Sequence, residues 1–239
     1  MAECLASNSS SRSSVRPATL PGVPTSAIAA AVHRSIKGLR LLDHPYYRGW
    51  EEGTLQRQDL TSYAEQYRHF ERCLPEVLSA GAAQMADGQP RRLVEANIED
   101  ELSNPRPHLD LFDEFASALG ALSPEPTEAT GALVGLYRDA AARGPVPLLA
   151  VVASYEIQGA EIAATKAAAL SQHYDLDGAG IEFWTVHAAV EEQHADWTVG
   201  ALESLQASST EVEDWANRSA QAWWQFLDER EARRCSVCP

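Results

Sequence analysis

The sequence predicts an all-α fold, a single-domain bundle of seven to nine helices. Three observations predict it. Apolar residues recur at helical spacing over nearly all of the chain after Pro24. No stretch alternates apolar and polar residues between turn signals, as a strand or hairpin would. Breaks at His44-Pro45, Asp87-Gly88, Asn104-Pro-Arg-Pro107, Gly144-Pro-Val-Pro147 and Asp175 to Gly180 cut the chain into helix-length pieces. A length of 239 residues suits one large domain, and no repeat of solenoid period is present.

The elements follow in order. Thr25 can cap a first helix through about Leu42. His44-Pro45-Tyr46-Tyr47 ends it, and a short helical turn carries Trp50. Asp59 is a plausible N-cap for a long helix to about Ala86, with Pro75 inside it. Pro90 opens the next helix, which runs to about Ser103; Glu95, Glu99 and Asp100 give it an acidic, solvated face. His108 to Leu119 is amphipathic through Leu111, Phe112, Phe115 and Leu119, with Gly120 as its stop. Ser123-Pro124 reads as a cap and first turn for a helix to about Ala142. Leu148 to about Tyr174 is apolar or Ala-rich on most faces. Gly180 to about Gln206 and Thr210 to about Glu231 complete the array. The expected organisation is a disordered Ser/Arg-rich tail over 1–22, one helical domain over 23–231 and a flexible tail over 232–239.

Bulk composition narrows the function. A formal net charge of −15 argues against nucleic acid and anionic membrane surfaces as partners. Hydrophobic residues make up 45% of the chain, enough for a substantial core, yet no apolar run reaches the roughly 18–20 residues of a bilayer span. The N-terminus lacks the apolar segment of a secretory signal. Cys235 and Cys238 form a lone Cys-x-x-Cys near the end, without the second pair of a structural zinc site. A cytoplasmic, reduced protein is expected.

The chemistry concentrates in His187-Ala-Ala-Val-Glu191-Glu-Gln-His194. Spacings of i, i+4 and i+7 put three metal-capable side chains on one helix face. Imidazole and carboxylate are the donors that iron and manganese sites use, and Glu-x-x-His is the unit of carboxylate-bridged dimetal bundles. Glu156 lies in an apolar run, where a buried carboxylate needs a cation, either a basic side chain such as Lys166 or a metal. Glu101 and His108 are seven apart. Two prolines between them demand an irregular turn if they are to converge.

Several further motifs occur in order: Leu42-Asp-His44-Pro-Tyr-Tyr47-Arg-Gly-Trp50-Glu-Glu-Gly53, Tyr63-Ala-Glu-Gln-Tyr67, Asn97-Ile-Glu-Asp-Glu101 with His108, Tyr155-Glu156-Ile-Gln with Lys166, and Phe183-Trp184-Thr-Val-His187 with Glu191 and His194. With them, about two-thirds of the chain resembles the haem-oxygenase-like diiron oxidases, whose fold is the TenA/PqqC/CADD-like bundle, and within them the CADD-like, folate-related proteins. The resemblance implies six metal ligands, Glu101, His108, Glu156, His187, Glu191 and His194, holding two ions, Fe/Fe or Fe/Mn, with O2 as co-substrate. It also implies Tyr47 as the chain's own source of p-aminobenzoate, with Lys166 implicated in the amination, and an external reductant. Two positions depart from the pattern. Glu191 stands where relatives have Asp, and Phe183 stands where the CADD-like group has Tyr.

Other readings stay open. A diiron enzyme of this fold could instead N-oxygenate, or cleave a C–C bond of, an external amine or amino acid. A cofactorless PqqC-like oxidase or a non-enzymatic interaction protein would not require six ligands. Tyr47 could be a packing aromatic and Lys166 a solvated lysine. A homodimer is compatible with the sequence.

Overall fold

The computed structural model describes residues 26–237. Among them are nine α-helices and no strand: α1 (Ala27–Ser35), α2 (Pro45–Glu51), α3 (Arg57–Ala82), α4 (Gln89–Ser103), α5 (His108–Ala118), α6 (Glu128–Arg143), α7 (Pro145–His173), α8 (Ala179–Ser204) and α9 (Ser209–Val237), with a 3-10 turn at Leu41–Asp43. Thr25, the 1–22 segment, Cys4 and Cys238 lie outside the described residues.

Local chemistry moves several boundaries. Ser26 caps α1, its hydroxyl accepting from the Ala29 N–H at 3.1 Å. That helix ends at Ser35 rather than near Leu42, because the chain turns through Gly38 at φ 80°. The following 3-10 turn docks on α7, where the Leu41 N–H donates to Gln158 Oε1 at 3.0 Å. His44 caps α2 by accepting the Tyr46 N–H on Nδ1, and Pro45 takes the first helical position.

Asp59 is not the cap of α3. It lies three residues inside, and its carboxylate accepts the N–H of the actual cap, Gln56, at 2.8 Å. The helix continues through Pro75. α6 starts at Glu128 rather than Ser123, since Pro126 disfavours helical backbone at Glu125. α9 runs to Val237, six residues past the expected end. Cys235 therefore stands on a helix, not in a flexible tail.

α7 is the central helix, packed along α8 and α9 and reaching α6, α1, α2 and α3. By length and composition it could span a bilayer, but 78% of its most apolar window is buried inside the protein. Its burial on nearly every face explains why its sequence shows little amphipathic contrast. α4 and α5 pack on α8, and α3 bridges α5 and α6. Between α2, α3, α5, α8 and α9 lies a continuous aromatic core, including Trp50, Tyr63, Tyr67, Phe112, Trp184 and Trp223. Leu149 of α7 is fully buried. Leu149→Ala is expected to cost about 2–5 kcal/mol of stability, read as a lowered denaturation midpoint with unchanged slope.

Candidate metal centre

Four helices, α4, α5, α7 and α8, bring the six expected carboxylates and imidazoles together in the core. Glu101 stands on the last turns of α4 and His108 is the first residue of α5. The link between them, Asn104-Pro-Arg-Pro107, supplies the irregular turn the spacing demanded, and its Asn104–Pro105 peptide is cis. His108 Nδ1 lies 2.9 Å from Glu101 Oε2, and its Nε2 lies 3.0 Å from the Asn104 carbonyl oxygen. Glu156 comes from α7; His187, Glu191 and His194 come from one face of α8. All six are buried.

The six are not equally convergent. Donor atoms of Glu101, His108 and His187 come within 4.8 Å of one another, and the fourth member of that group is Glu71 of α3. Glu156, Glu191 and His194 line the same cavity as Glu71, Glu101 and His187. Glu101 links the two halves. Its Oε2 faces His108, and its Oε1 lies 3.5 Å from His194 Nδ1.

Neighbours orient the imidazoles. His187 Nδ1 donates to the Phe183 carbonyl one turn back at 2.8 Å, leaving Nε2 for another partner. His194 Nε2 donates to Asp100 Oδ2 at 2.8 Å, which turns Nδ1 toward Glu101. Asp100 is thus on the buried side of α4, not on its solvated face.

The electrostatics call for a cation. Among the described residues no Arg or Lys lies within 4.0 Å of Glu71, Glu101, Glu156 or Glu191. Burial, and then the neighbouring acids Glu156, Glu101 and Glu71, push the Glu191 carboxyl far above its ordinary range. Burial likewise raises Glu156 and Glu71. His187 is driven down to about 3, by burial first and then by His108. Burial resists charging His108, yet the Glu101 carboxylate, with Glu71 nearby, pushes it up to about 9. Glu156 Oε2 and Glu191 Oε2 are buried without a hydrogen-bond partner, while Glu156 Oε1 accepts from Asn97 at 2.8 Å. Buried oxygens of this kind beside imidazoles fit a metal cation.

A second constellation lies on the aromatic side of α7. Lys166 is buried and pairs with no acid among the described residues. Its Nζ donates to Tyr47 Oη at 2.9 Å and to Tyr63 Oη at 2.7 Å, and the two phenol oxygens are 2.8 Å apart. The faces of Tyr47, Trp50, Tyr63, Tyr67 and Trp184 surround Nζ at 4.0–5.4 Å. Lys166 is therefore neither solvated nor the partner of Glu156. From Tyr63 the phenols continue toward the cavity lined by the buried acids and imidazoles. Tyr63 stacks on Tyr67 at 5.3 Å, and Tyr67 Oη lies 2.8 Å from Tyr155 Oη. Tyr67 and Tyr155 line the cavity wall.

The family described as TENA/THI-4/PQQC matches residues 33–230. The chain belongs to that family. Two relatives of the chain are 4-aminobenzoate synthases. That of Nitrosomonas europaea is 32% identical over 223 residues, 85% of this chain and 91% of the relative. That of Chlamydia pneumoniae is 30% identical over 181 residues, 72% of this chain and 80% of the relative. A solved TenA homologue from Pseudomonas syringae pv. tomato superposes with a TM-score of 0.75 at 15% identity, covering 88% of this chain and 97% of that one. A domain of unknown function with a heme oxygenase-like fold from Shewanella denitrificans gives 0.69 at 16% identity, covering 85% and 90%. The haem-oxygenase-like all-α fold is as the sequence predicts.

Of the two departures expected from the sequence, Glu191 is the one that meets Gly159. A Cβ on Gly159 of α7 would lie 2.7 Å from Glu191 Cδ and Oε2, so the glycine makes the room that the longer acid occupies. Phe183 packs on His187 at 4.0 Å between ring centroids and lies 6.3 Å from Tyr67. The phenols on that side of the cavity come from Tyr67 and Tyr155. Sequence reasoning missed Glu71, and it quoted Tyr63, Tyr67 and Tyr155 only as motif residues. The i, i+4, i+8 spacing of Tyr63, Tyr67 and Glu71 on α3 was the available signal.

Two outcomes follow from this geometry. Gly159→Ala is expected to leave thermal stability nearly unchanged, because the clash falls on a flexible side-chain end. It should lower divalent-metal affinity by about 10-fold or more, and adding Glu191→Asp should restore it; a Co(II) titration of the three proteins checks this. Burial lowers the Lys166 pKa well below its usual value, with the aromatic faces offsetting part of the cost. The unfolded chain then binds a proton that the folded one does not, at pH between the folded pKa and about 10.5, so stability rises with pH across that window. Lys166→Met should melt higher than the wild type at neutral pH and show a shallower rise toward alkaline pH in parallel thermal melts.

Proposed function

We propose that this protein is an O2-dependent oxidoreductase with a non-haem dimetal centre that makes 4-aminobenzoate from its own Tyr47. The observation that carries this reading is the buried triangle of Lys166 Nζ, Tyr47 Oη and Tyr63 Oη. A lysine this deep, held on two phenols and no carboxylate, is costly as a structural device and suited to chemistry at the phenol it touches. The similarity to 4-aminobenzoate synthases over most of the chain supports the product.

Glu101, His108, Glu156, His187, Glu191 and His194 would hold the two ions, Fe/Fe or Fe/Mn. Such a pair supplies one-electron chemistry with O2, fed by an external reductant. The chain's own groups do the rest. Asp100, Asn104 and the Phe183 carbonyl fix the three imidazoles. The aromatic core excludes water from Tyr47, which is 2% exposed and whose phenol burial holds protonated. Tyr63 Oη, hydrogen-bonded to both Tyr47 and Lys166, holds the phenol and the amine in register. Lys166 Nζ, kept toward its neutral form, presents a lone pair beside the ring, 4.2 Å from its centroid. That places a nitrogen donor next to the carbon at which oxygen is exchanged for nitrogen. Tyr67 and Tyr155 provide a file of phenols between the cavity and Tyr63.

Anaerobic loading with Fe(II), alone or with Mn(II), followed by reductant and O2, tests this. The expected result is at most one 4-aminobenzoate per chain, with a mass change at Tyr47 by intact-mass and peptide analysis. Tyr47→Phe should give none. Continued turnover of an added amine or amino acid by Tyr47→Phe, with an unchanged protein mass, would instead make the protein an oxygenase of an external substrate.

A further inference from the structure

We infer that Glu71 is a seventh protein ligand, completing with Glu101, His108 and His187 the donor set of one of the two metal ions. This assignment rests on the dimetal reading above and extends it to a residue outside the six-ligand pattern.

Three observations carry it. The first is position. One ligand atom from each of Glu71, Glu101, His108 and His187 lies within 4.8 Å of those of the other three, and all four residues are buried. Three of these are ligands in the six-residue set, so the fourth meets the same ion wherever it sits among them. The second is the lack of another role. Glu71 is 3% exposed, and among the described residues it forms no hydrogen bond and no ion pair with Arg or Lys. A carboxylate removed from water without either costs several kcal/mol. The third is direction. Tyr63, Tyr67 and Glu71 follow one another at four-residue intervals along α3, and Tyr67 and Glu71 both line the cavity that Glu156 and Glu191 enter with unpartnered buried oxygens.

The consequence is an asymmetric centre. The ion near Glu71 has two carboxylates and two imidazoles, one of which, His187, has its Nδ1 committed to the Phe183 carbonyl. The ion on the other side has Glu156, Glu191 and His194, with Glu101 between the two. An additional hard oxygen donor favours a hard divalent ion such as Mn(II) or Fe(II) at the Glu71 side over a softer one.

The test is anaerobic titration of metal-free protein with Co(II), followed by visible absorption, and with Mn(II), followed by the loss of the free-ion EPR signal. The wild type is expected to take up two equivalents. Glu71→Gln, which keeps the shape and removes the charge, should lose affinity for one equivalent by about 10–100-fold and keep the other unchanged. Circular dichroism and the melting temperature of the metal-free variant establish that it is folded; replacing a buried carboxyl that has no Arg or Lys partner by an amide of the same shape should leave that melt as high as the wild type's or higher. Glu71→Asp, one methylene shorter, provides the second variant if Glu71→Gln does not fold, with the same loss at one site expected. Uptake of both equivalents by folded Glu71→Gln with wild-type affinity overturns the assignment and leaves the dimetal reading standing. A loss spread equally over both equivalents also overturns it. Failure of the wild type itself to bind either ion removes the dimetal reading, and the Glu71 assignment with it.

Discussion

Four carboxyl groups, Glu71, Glu101, Glu156 and Glu191, are buried in the middle of this bundle with no lysine or arginine among the described residues to meet them. That requirement for positive charge organises the surrounding helices. It explains why three histidines converge there, and why each has one ring nitrogen turned toward an oxygen acceptor behind it. Gly159 gives α7 the room to approach α8, so that the Glu191 carboxylate lies against bare backbone. His108 holds Glu101 ionised against its burial, whereas burial pushes the Glu71, Glu156 and Glu191 carboxyls up, so without a cation these three stay buried by taking up protons.

Lys166, the one deeply buried lysine among the described residues, stands further along the helix that carries Glu156. Lys166 would satisfy one of those acids, yet it lies ten residues along α7 from Glu156, turned into an aromatic cage. Separating an unpaired base from a cluster of unpaired acids has a stability cost on both sides. A fold under selection for stability alone would pair them. Keeping them apart, with a file of phenols between, leaves an amine free beside Tyr47 and leaves the acids free for metal. On the proposed function, that separation gives up stability to keep two reactive groups poised.

The fold was largely legible in the sequence. Helical spacing with Pro and Gly breaks located all nine helices, because each break acts on backbone torsions that do not depend on distant residues. The errors lie where a boundary was decided by contacts or by competing caps. Asp59 looks like a cap and instead serves Gln56 from inside the helix. Ser123 looks like a cap and is overruled by Pro126. Asp100 sits beside Glu95 and Glu99 in an acidic run, and only its packing against His194 sets it on the buried side. The described part of the Cys-x-x-Cys continues α9.

For the site, the sequence by itself determined one helix face, His187, Glu191 and His194, since their spacing on a regular helix fixes it without reference to the rest of the chain. Ordered motifs extended that to Glu101, His108, Glu156, Tyr47 and Lys166 by resemblance. Only the tertiary structure decided that Glu71 faces the same cavity, that Lys166 reaches Tyr47 and Tyr63 rather than Glu156, and that Gly159 makes room for the longer Glu191. Each of these depends on the rotation of one helix against another. The packing of α3, α7 and α8 sets those rotations, and no local spacing along the chain encodes them.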